Sequence, residues 1–266
     1  MAKIFSLTAK MILILIALFL QGSAGFSTPP PSRTIIQIRI YQLKSKEQEE
    51  RVDKFLQSAF IPVLHRMGIN QVGVFKPIGN DTAATRRIYV LIPFQSLDQW
   101  LHLPETLSKD ASFNNDGKEY LESPHNDPPF SRQESIILRA FPDMPNVQKP
   151  TLSGPWQDRI YELRSYESAT ERKLESKVRM FNEGDEISIF KRLNFNAVFY
   201  GEVMSGSRMP NLMYMTSFDN MAAHDQHWKS FGDDPTWKKL LSMPEYQNNV
   251  SHADIWLLHP TSYSDL

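Results

Sequence analysis

From Thr34 onward, the spacing of apolar residues switches repeatedly between a period of two and a period near 3.6. Thr34–Leu43 alternates β-branched and aromatic residues with polar ones, which is the pattern of a strand. Lys46–Arg66 places Val52, Phe55, Leu56, Ala59 and Val63 on one helical face, with Pro62 predicting a kink and Gly68 standing where a C-terminal cap belongs. Gln71–Lys76 and Arg87–Phe94 read as strands joined across the turn residues Gly79-Asn80-Asp81. A short helix starts near Ser96, and Gln133–Ala140 reads as a further strand. The pattern then repeats: strand Arg159–Arg164, helix Ser168–Leu193, strands Ala197–Val203 and Asn211–Thr216, helix Asn220–Phe231 and strand Ala253–Leu258. Each half is β-α-β-β-α-β, the order of an antiparallel ferredoxin-like sheet backed by helices on one face. Residues 143–155 are proline-bearing and aperiodic, a linker between domains at residues 33–142 and 156–262.

The halves also match residue by residue. Arg39–Ser45 (RIYQLKS) and Arg159–Ser165 (RIYELRS) are near copies, Phe94 and Leu97 match Phe218 and Met221, and Ser135–Phe141 lies opposite Asp254–His259. A sheet with helices on one face leaves its other face bare, and a duplicated unit can cover both bare faces at once. The expected architecture is therefore α+β: two tandem ferredoxin-like βαββαβ domains packed sheet-to-sheet as a pseudo-dimeric α/β barrel. The interior between the sheets is the first place to look for a site. Strand parity assigns Tyr41, Leu43, Tyr161 and Leu163 to the faces under the helices. It assigns Gln42, Lys44, Glu162 and Arg164 to the shared interior.

Composition narrows the function classes. With 41% hydrophobic residues and a net charge of −1 over 266 residues, the chain is globular and lacks the positive field a nucleic-acid partner requires. The absence of cysteine excludes disulfides, thiolate metal centres and cysteine nucleophiles. Lys3 and Lys10, the apolar run Met11–Leu20 and the small residues Gly22-Ser23-Ala24-Gly25 read as a signal peptide at residues 1–24, followed by a Pro/Ser-rich spacer at residues 25–32. The apolar run rises only ~15 Å as a helix, about half the hydrocarbon core, so it is too short to span. An exported protein, periplasmic or secreted and free of the membrane after cleavage, is expected; a retained anchor is the alternative.

The segment RIYELRSY, a long amphipathic helix, a strand pair and then SFDNMAAHDQHW…DDPTWKKLL resemble the NIPSNAP family from Arg159 to about His259. The first half resembles a diverged copy, with Gln42 and Lys44 standing for the acidic and arginine positions. The resemblance implies a ferredoxin-like fold of the dimeric α/β-barrel group and no particular chemistry. Relatives in that group include cofactor-free monooxygenases, isomerases and haem enzymes, so fold alone does not fix an activity.

Glu162 and Arg164 lie two apart on one strand and share a face, where an arginine fork and a carboxylate either hold an anionic or carbonyl ligand or satisfy each other. Tyr214 and His224 join them as candidates for the same site, with Gln42 and Lys44 as first-half counterparts. His224, His227 and Trp228 share a helix face, and Asp225 or Asp254 is a conceivable oxygen ligand. Two histidines make only half a metal site, so packing is the better reading, and neither a metal centre nor a cofactor is expected. Trp228 reads as core, and so do Met204, Met209, Met213 and Met215. The polar insert Asn114–Arg132 reads as surface decoration or as a lid. No GxGxxG, P-loop or GxSxG motif is present. The leading expectation is a protein binding a small ligand or a protein partner in or near the cleft between its domains. A barrel-type enzyme, cofactor-free or haem-dependent, is the alternative.

Overall fold

The β-branched and aromatic runs form eight strands in a computed structural model that describes residues 32–266. The expected signal peptide and all but the last residue of the spacer lie outside these residues. Ile35–Leu43 (β1), Gly73–Pro77 (β2), Arg86–Phe94 (β3) and Arg132–Ala140 (β4) belong to the first half. Ile160–Glu167 (β5), Phe199–Ser205 (β6), Asn211–Phe218 (β7) and His252–Pro260 (β8) belong to the second. Spatial order is the same in both, β4-β1-β3-β2 and β8-β5-β7-β6, with antiparallel neighbours throughout. The sheets also join edge to edge, β2 with β8 and β4 with β6, so the pseudo-dimer is a closed barrel and no strand edge is left unpaired.

Side chains from both halves fill the barrel, among them Ile36, Ile38, Tyr89 and Leu138 from the first and Tyr161, Leu163, Met213 and Met215 from the second. Helices cover the outside. Over the first half run Lys46–Phe55 (α1) and Ile61–Arg66 (α2), joined by the wider π-helical turn Leu56–Phe60. That turn absorbs the irregularity, leaving Pro62 in the first turn of α2, where its missing N–H is tolerated. Four short helices follow: Leu97–Leu101 (α3), Leu103–Lys109 (α4), Ala111–Asp116 (α5) and Lys118–Leu121 (α6). Over the second half lie Glu171–Asn182 (α7), Glu186–Arg192 (α8), Met221–Asp233 (α9) and Pro235–Ser242 (α10). No helix among the described residues is long and apolar enough to cross a membrane.

Two expectations are corrected. The single helix over Ser168–Leu193 is two, α7 and α8, broken at Gly184 and Asp185, the latter at φ 62. A Cβ at Gly184 would stand 2.6 Å from the Met180 carbonyl oxygen, so only glycine fits the break. The second correction concerns faces. Tyr41 and Leu43 do lie under the helices, but Tyr161 and Leu163 point into the barrel. Ile160, Glu162 and Arg164 therefore face outward, beneath α7–α10. Both faces of β5 are buried, and its first four residues show no exposed position, so the alternation that separates inside from outside is missing.

The ladders give the true correspondence between halves. Ile35 pairs with Phe94 and Arg39 with Val90; Ile160 pairs with Phe218 and Arg164 with Tyr214. The counterparts of Glu162, Arg164 and Tyr166 are thus Gln37, Arg39 and Tyr41. Gln42 and Lys44 are not their equivalents. RIYQLKS and RIYELRS are alike in letters but out of phase in space, and an odd shift along a strand exchanges its faces.

Candidate functional site

Glu162 and Arg164 on β5, Tyr214 on β7 and His224 and Trp228 on α9 do converge, though on the outer face of the second-half sheet and not in the barrel. Gln42, by contrast, points into the barrel and bonds Glu134 Oε1 at 2.5 Å, and Lys44 is exposed to solvent. Those two take no part in the cluster. Asn220 caps α9 by accepting from the Ala223 N–H, which fixes the helix start and aims His224 and Trp228, one turn apart, at the sheet.

Glu162 is 1% exposed and is the hub. Its Oε1 accepts from Arg164 Nε at 2.7 Å and lies 2.6 Å from Arg164 Nη2. Its Oε2 contacts His224 Nε2 at 3.0 Å and accepts from Trp228 Nε1. The Arg164 guanidinium stacks 3.7 Å from the centre of the Trp228 ring and donates through Nη1 to the Tyr166 hydroxyl at 2.9 Å. The Tyr166 hydroxyl meets that of Tyr214, also at 2.9 Å. Burial opposes the charge on Glu162, but His224, Arg164 and Trp228 outweigh it and hold the carboxyl below the usual range. Burial likewise opposes the charge on His224, and Glu162 and Asp225 outweigh it, raising the imidazole pKa. Burial, reinforced by Tyr166, lifts the Tyr214 hydroxyl well above its ordinary value, so it stays protonated.

Beside this hub opens a cleft of about 530 Å³ between the sheet and the helices. Arg164, Tyr166 and Tyr214 form part of its floor; Phe190, Trp228, Phe231, Trp237 and Tyr246 line its sides. Lys177 and Glu186 complete the floor as a buried pair 2.8 Å apart. The break between α7 and α8 is what turns Glu186 back under Lys177, and burial raises the Glu186 pKa against the pull of that lysine. Tyr166 was legible from parity, being on the same strand face as Glu162 and Arg164. Lys177 stands in line with Leu174 and Phe181 on the buried face of α7, where a lysine is out of place.

In the first half aromatic side chains occupy the corresponding space. Tyr120 stacks on Phe55 with ring centres 3.8 Å apart, and Phe130 packs against Tyr41 at 5.6 Å, so two aromatics of the insert Asn114–Arg132 fill space between sheet and helices. Those two rings are a plug, while most of the insert is exposed, as surface decoration would be. Asp254 does not join His224 and His227 in the metal set that the helix spacing suggested. Both His224 nitrogens are engaged, and Asp254 faces the barrel, on the opposite side of the sheet. Met213 and Met215 are barrel core, whereas Met204 and Met209 are exposed.

Comparison with known proteins agrees with this architecture. A candidate monooxygenase from Lactobacillus acidophilus NCFM aligns over 86% of this chain and 94% of its own, at 13% identity and a TM-score of 0.56. A second, from Fusobacterium nucleatum subsp. nucleatum, aligns over 86% and 93% at 9% identity and a TM-score of 0.52. An anthrone oxidase-like protein aligns over 87% and 93% at 8% identity and a TM-score of 0.50. At such identities these likenesses speak to the fold alone. No curated protein matches the chain in sequence. The NIPSNAP family profile matches residues 161–265, which include every residue of the hub and the cleft floor. Over that stretch the second half of this chain is similar to the NIPSNAP family.

Proposed function

We propose that the cleft beneath α7–α10 binds a small planar molecule with an aromatic body and an anionic or hydrogen-bond-accepting oxygen. One observation carries this reading: the donors of Arg164, Tyr166, Tyr214 and Lys177 meet at the floor of an aromatic-walled cleft large enough for a two-ring compound. A protein partner, the other expectation from sequence, would use a broader and flatter surface.

Binding is favoured over turnover because most of the acid–base groups are already engaged. Both Glu162 oxygens accept hydrogen bonds, both His224 nitrogens have partners, and Tyr214 is held protonated. The enzyme reading draws on the fold shared with the candidate monooxygenases, and its proton acceptor would be Glu186, the floor carboxylate lifted by burial.

Titration of the chain with 2-naphthoate, read by tryptophan fluorescence, tests the proposal. Saturable quenching is expected. Leu241→Trp, at a half-exposed position lining the cleft, should weaken it at least tenfold. Tyr166→Phe should weaken it about two- to tenfold, the worth of one hydrogen bond. No saturable binding of either 2-naphthoate or 2-naphthol at millimolar concentration, or an affinity indifferent to Leu241→Trp, would overturn the reading. Export through residues 1–24 is part of the same proposal. Intact-mass measurement of the mature chain should find Gly25 at its N-terminus, and a chain still beginning at Met1 would overturn that part.

A further inference from the structure

A second polar cluster sits at the barrel mouth formed by the end of β5 and the starts of β7 and β8, across the sheet from the cleft. Glu167 is paired with Asn211 on one side and with His252 on the other, so the three side chains form one row on the barrel-facing side. Asp254 stands in the next row, paired with Ser165. Ligand atoms from Glu167, His252 and Asp254 all lie within 4.8 Å of one another, and His252 Nε2 is 3.4 Å from Asp254 Oδ1. Donors bound at roughly 2.0–2.4 Å to a common ion are no more than about 4–4.8 Å apart, so these three can share a centre. Asn211 supplies an independent sign. It is 1% exposed, its Nδ2 donates to Ser165 Oγ at 2.7 Å, and its Oδ1 has no hydrogen-bond partner. A buried carbonyl oxygen without a donor, on the residue paired with Glu167, is available as a fourth ligand.

We propose that Glu167, Asn211, His252 and Asp254 bind one divalent transition-metal cation at the mouth of the barrel. One imidazole with three oxygens suits Zn²⁺ or Mn²⁺; the imidazole and the small ligand number disfavour Ca²⁺. In the metal-free chain Arg208 supplies the compensating charge. It pairs with Asp254 and lies 3.7 Å from Glu167. Arg208 belongs to the turn between β6 and β7 and is 44% exposed, so its guanidinium can swing into solvent when a metal arrives. Asn211, Asp254 and Arg208 also line a cavity of about 290 Å³ inside the barrel.

Isothermal titration of the untagged full chain with ZnCl₂ and separately with MnCl₂ tests the site. One equivalent should bind at least one of them. His252→Ala and Asp254→Asn should each weaken binding tenfold or more, and Arg208→Ser should tighten it by removing the competing cation. Binding that persists unchanged in His252→Ala and Asp254→Asn would put the metal elsewhere and overturn the proposal. Failure of both metals to bind stoichiometrically, to the natural chain and to Arg208→Ser alike, would overturn it as well. A ligand-free cleft with an intact metal site, or the reverse, would separate this proposal from that for the cleft.

Discussion

Glu162→Gln changes a single atom at the hub, and the structure makes its cost calculable. Oε1 faces two Arg164 nitrogens and Oε2 faces His224 and Trp228, so either amide orientation sets an N–H₂ group against donors. The Arg164 side chain, 16% exposed, then keeps its charge without a carboxylate to balance it. Breaking one side of a buried ion pair costs about 3–5 kcal/mol. The Trp228 ring over the guanidinium and its residual exposure favour the lower end, about 3 kcal/mol. For a chain of this size that is a fall in Tm of about 6–12 °C. Thermal unfolding followed by circular dichroism at pH 6 reads it directly. The Glu162→Leu/Arg164→Met double variant removes both charges, and it should recover at least about 1 kcal/mol relative to the sum of the single substitutions. A loss below about 1 kcal/mol in Glu162→Gln, or strict additivity in the double variant, would refute the hub as an electrostatic unit.

The same pairing sets a pH window. Glu162 has a lowered pKa, so its contribution is complete above about pH 4.3 and fades as pH falls through the folded-state value. His224 has a raised pKa, so its contribution is complete below about pH 6.5 and fades as pH rises through its folded-state value. The stability gap between the natural chain and Glu162→Gln should therefore be widest between about pH 4.3 and 6.5; a gap that keeps growing above pH 8 would contradict the assignment. Tyr120→Ala should open the plugged first half at a cost of about 2–4 kcal/mol by urea unfolding and create a new site for an apolar dye; unchanged stability and no dye binding would show that the plug is dispensable. Gly201→Val should cost about 1–3 kcal/mol, because even a Cβ at that position would lie 3.2 Å from Leu138 Cβ across the β4–β6 seam; a neutral result would mean that the seam is loose.

Strand and helix order was readable because apolar spacing reports which face of an element is buried, and in most elements only one face is. Where both are buried that signal vanishes. β5 is covered by helices on one side and by the barrel core on the other, so parity has nothing to contrast and puts Glu162 and Arg164 on the wrong side. The near-identical RIYQLKS and RIYELRS reinforced the error, since letter matching takes no account of which residues pair across a sheet. The convergence of Glu162, Arg164, Tyr214 and His224 was nevertheless anticipated, because two charged residues on one buried strand face need partners whichever face it is. Trp228 reads as core in the sequence because an indole on an apolar helix face is core in most settings, and its N–H contact with Glu162 depends on tertiary geometry. The plug formed by Tyr120 and Phe130 was hidden by the polarity of the residues around them.

Both sheets of this barrel belong to one polypeptide. In a barrel assembled from two identical subunits, every substitution appears twice, and a residue that fills one recess fills its mate as well. Joining the copies in tandem removes that constraint: Tyr120 and Phe130 can seal one recess while Trp228 and Arg164 keep the other accessible. It also makes the union of the copies independent of dilution, since neither can diffuse away from the other. The chain therefore has the geometry of a twofold assembly with one recess sealed and its mate open, an asymmetry that a true twofold dimer could reach only by breaking its own symmetry.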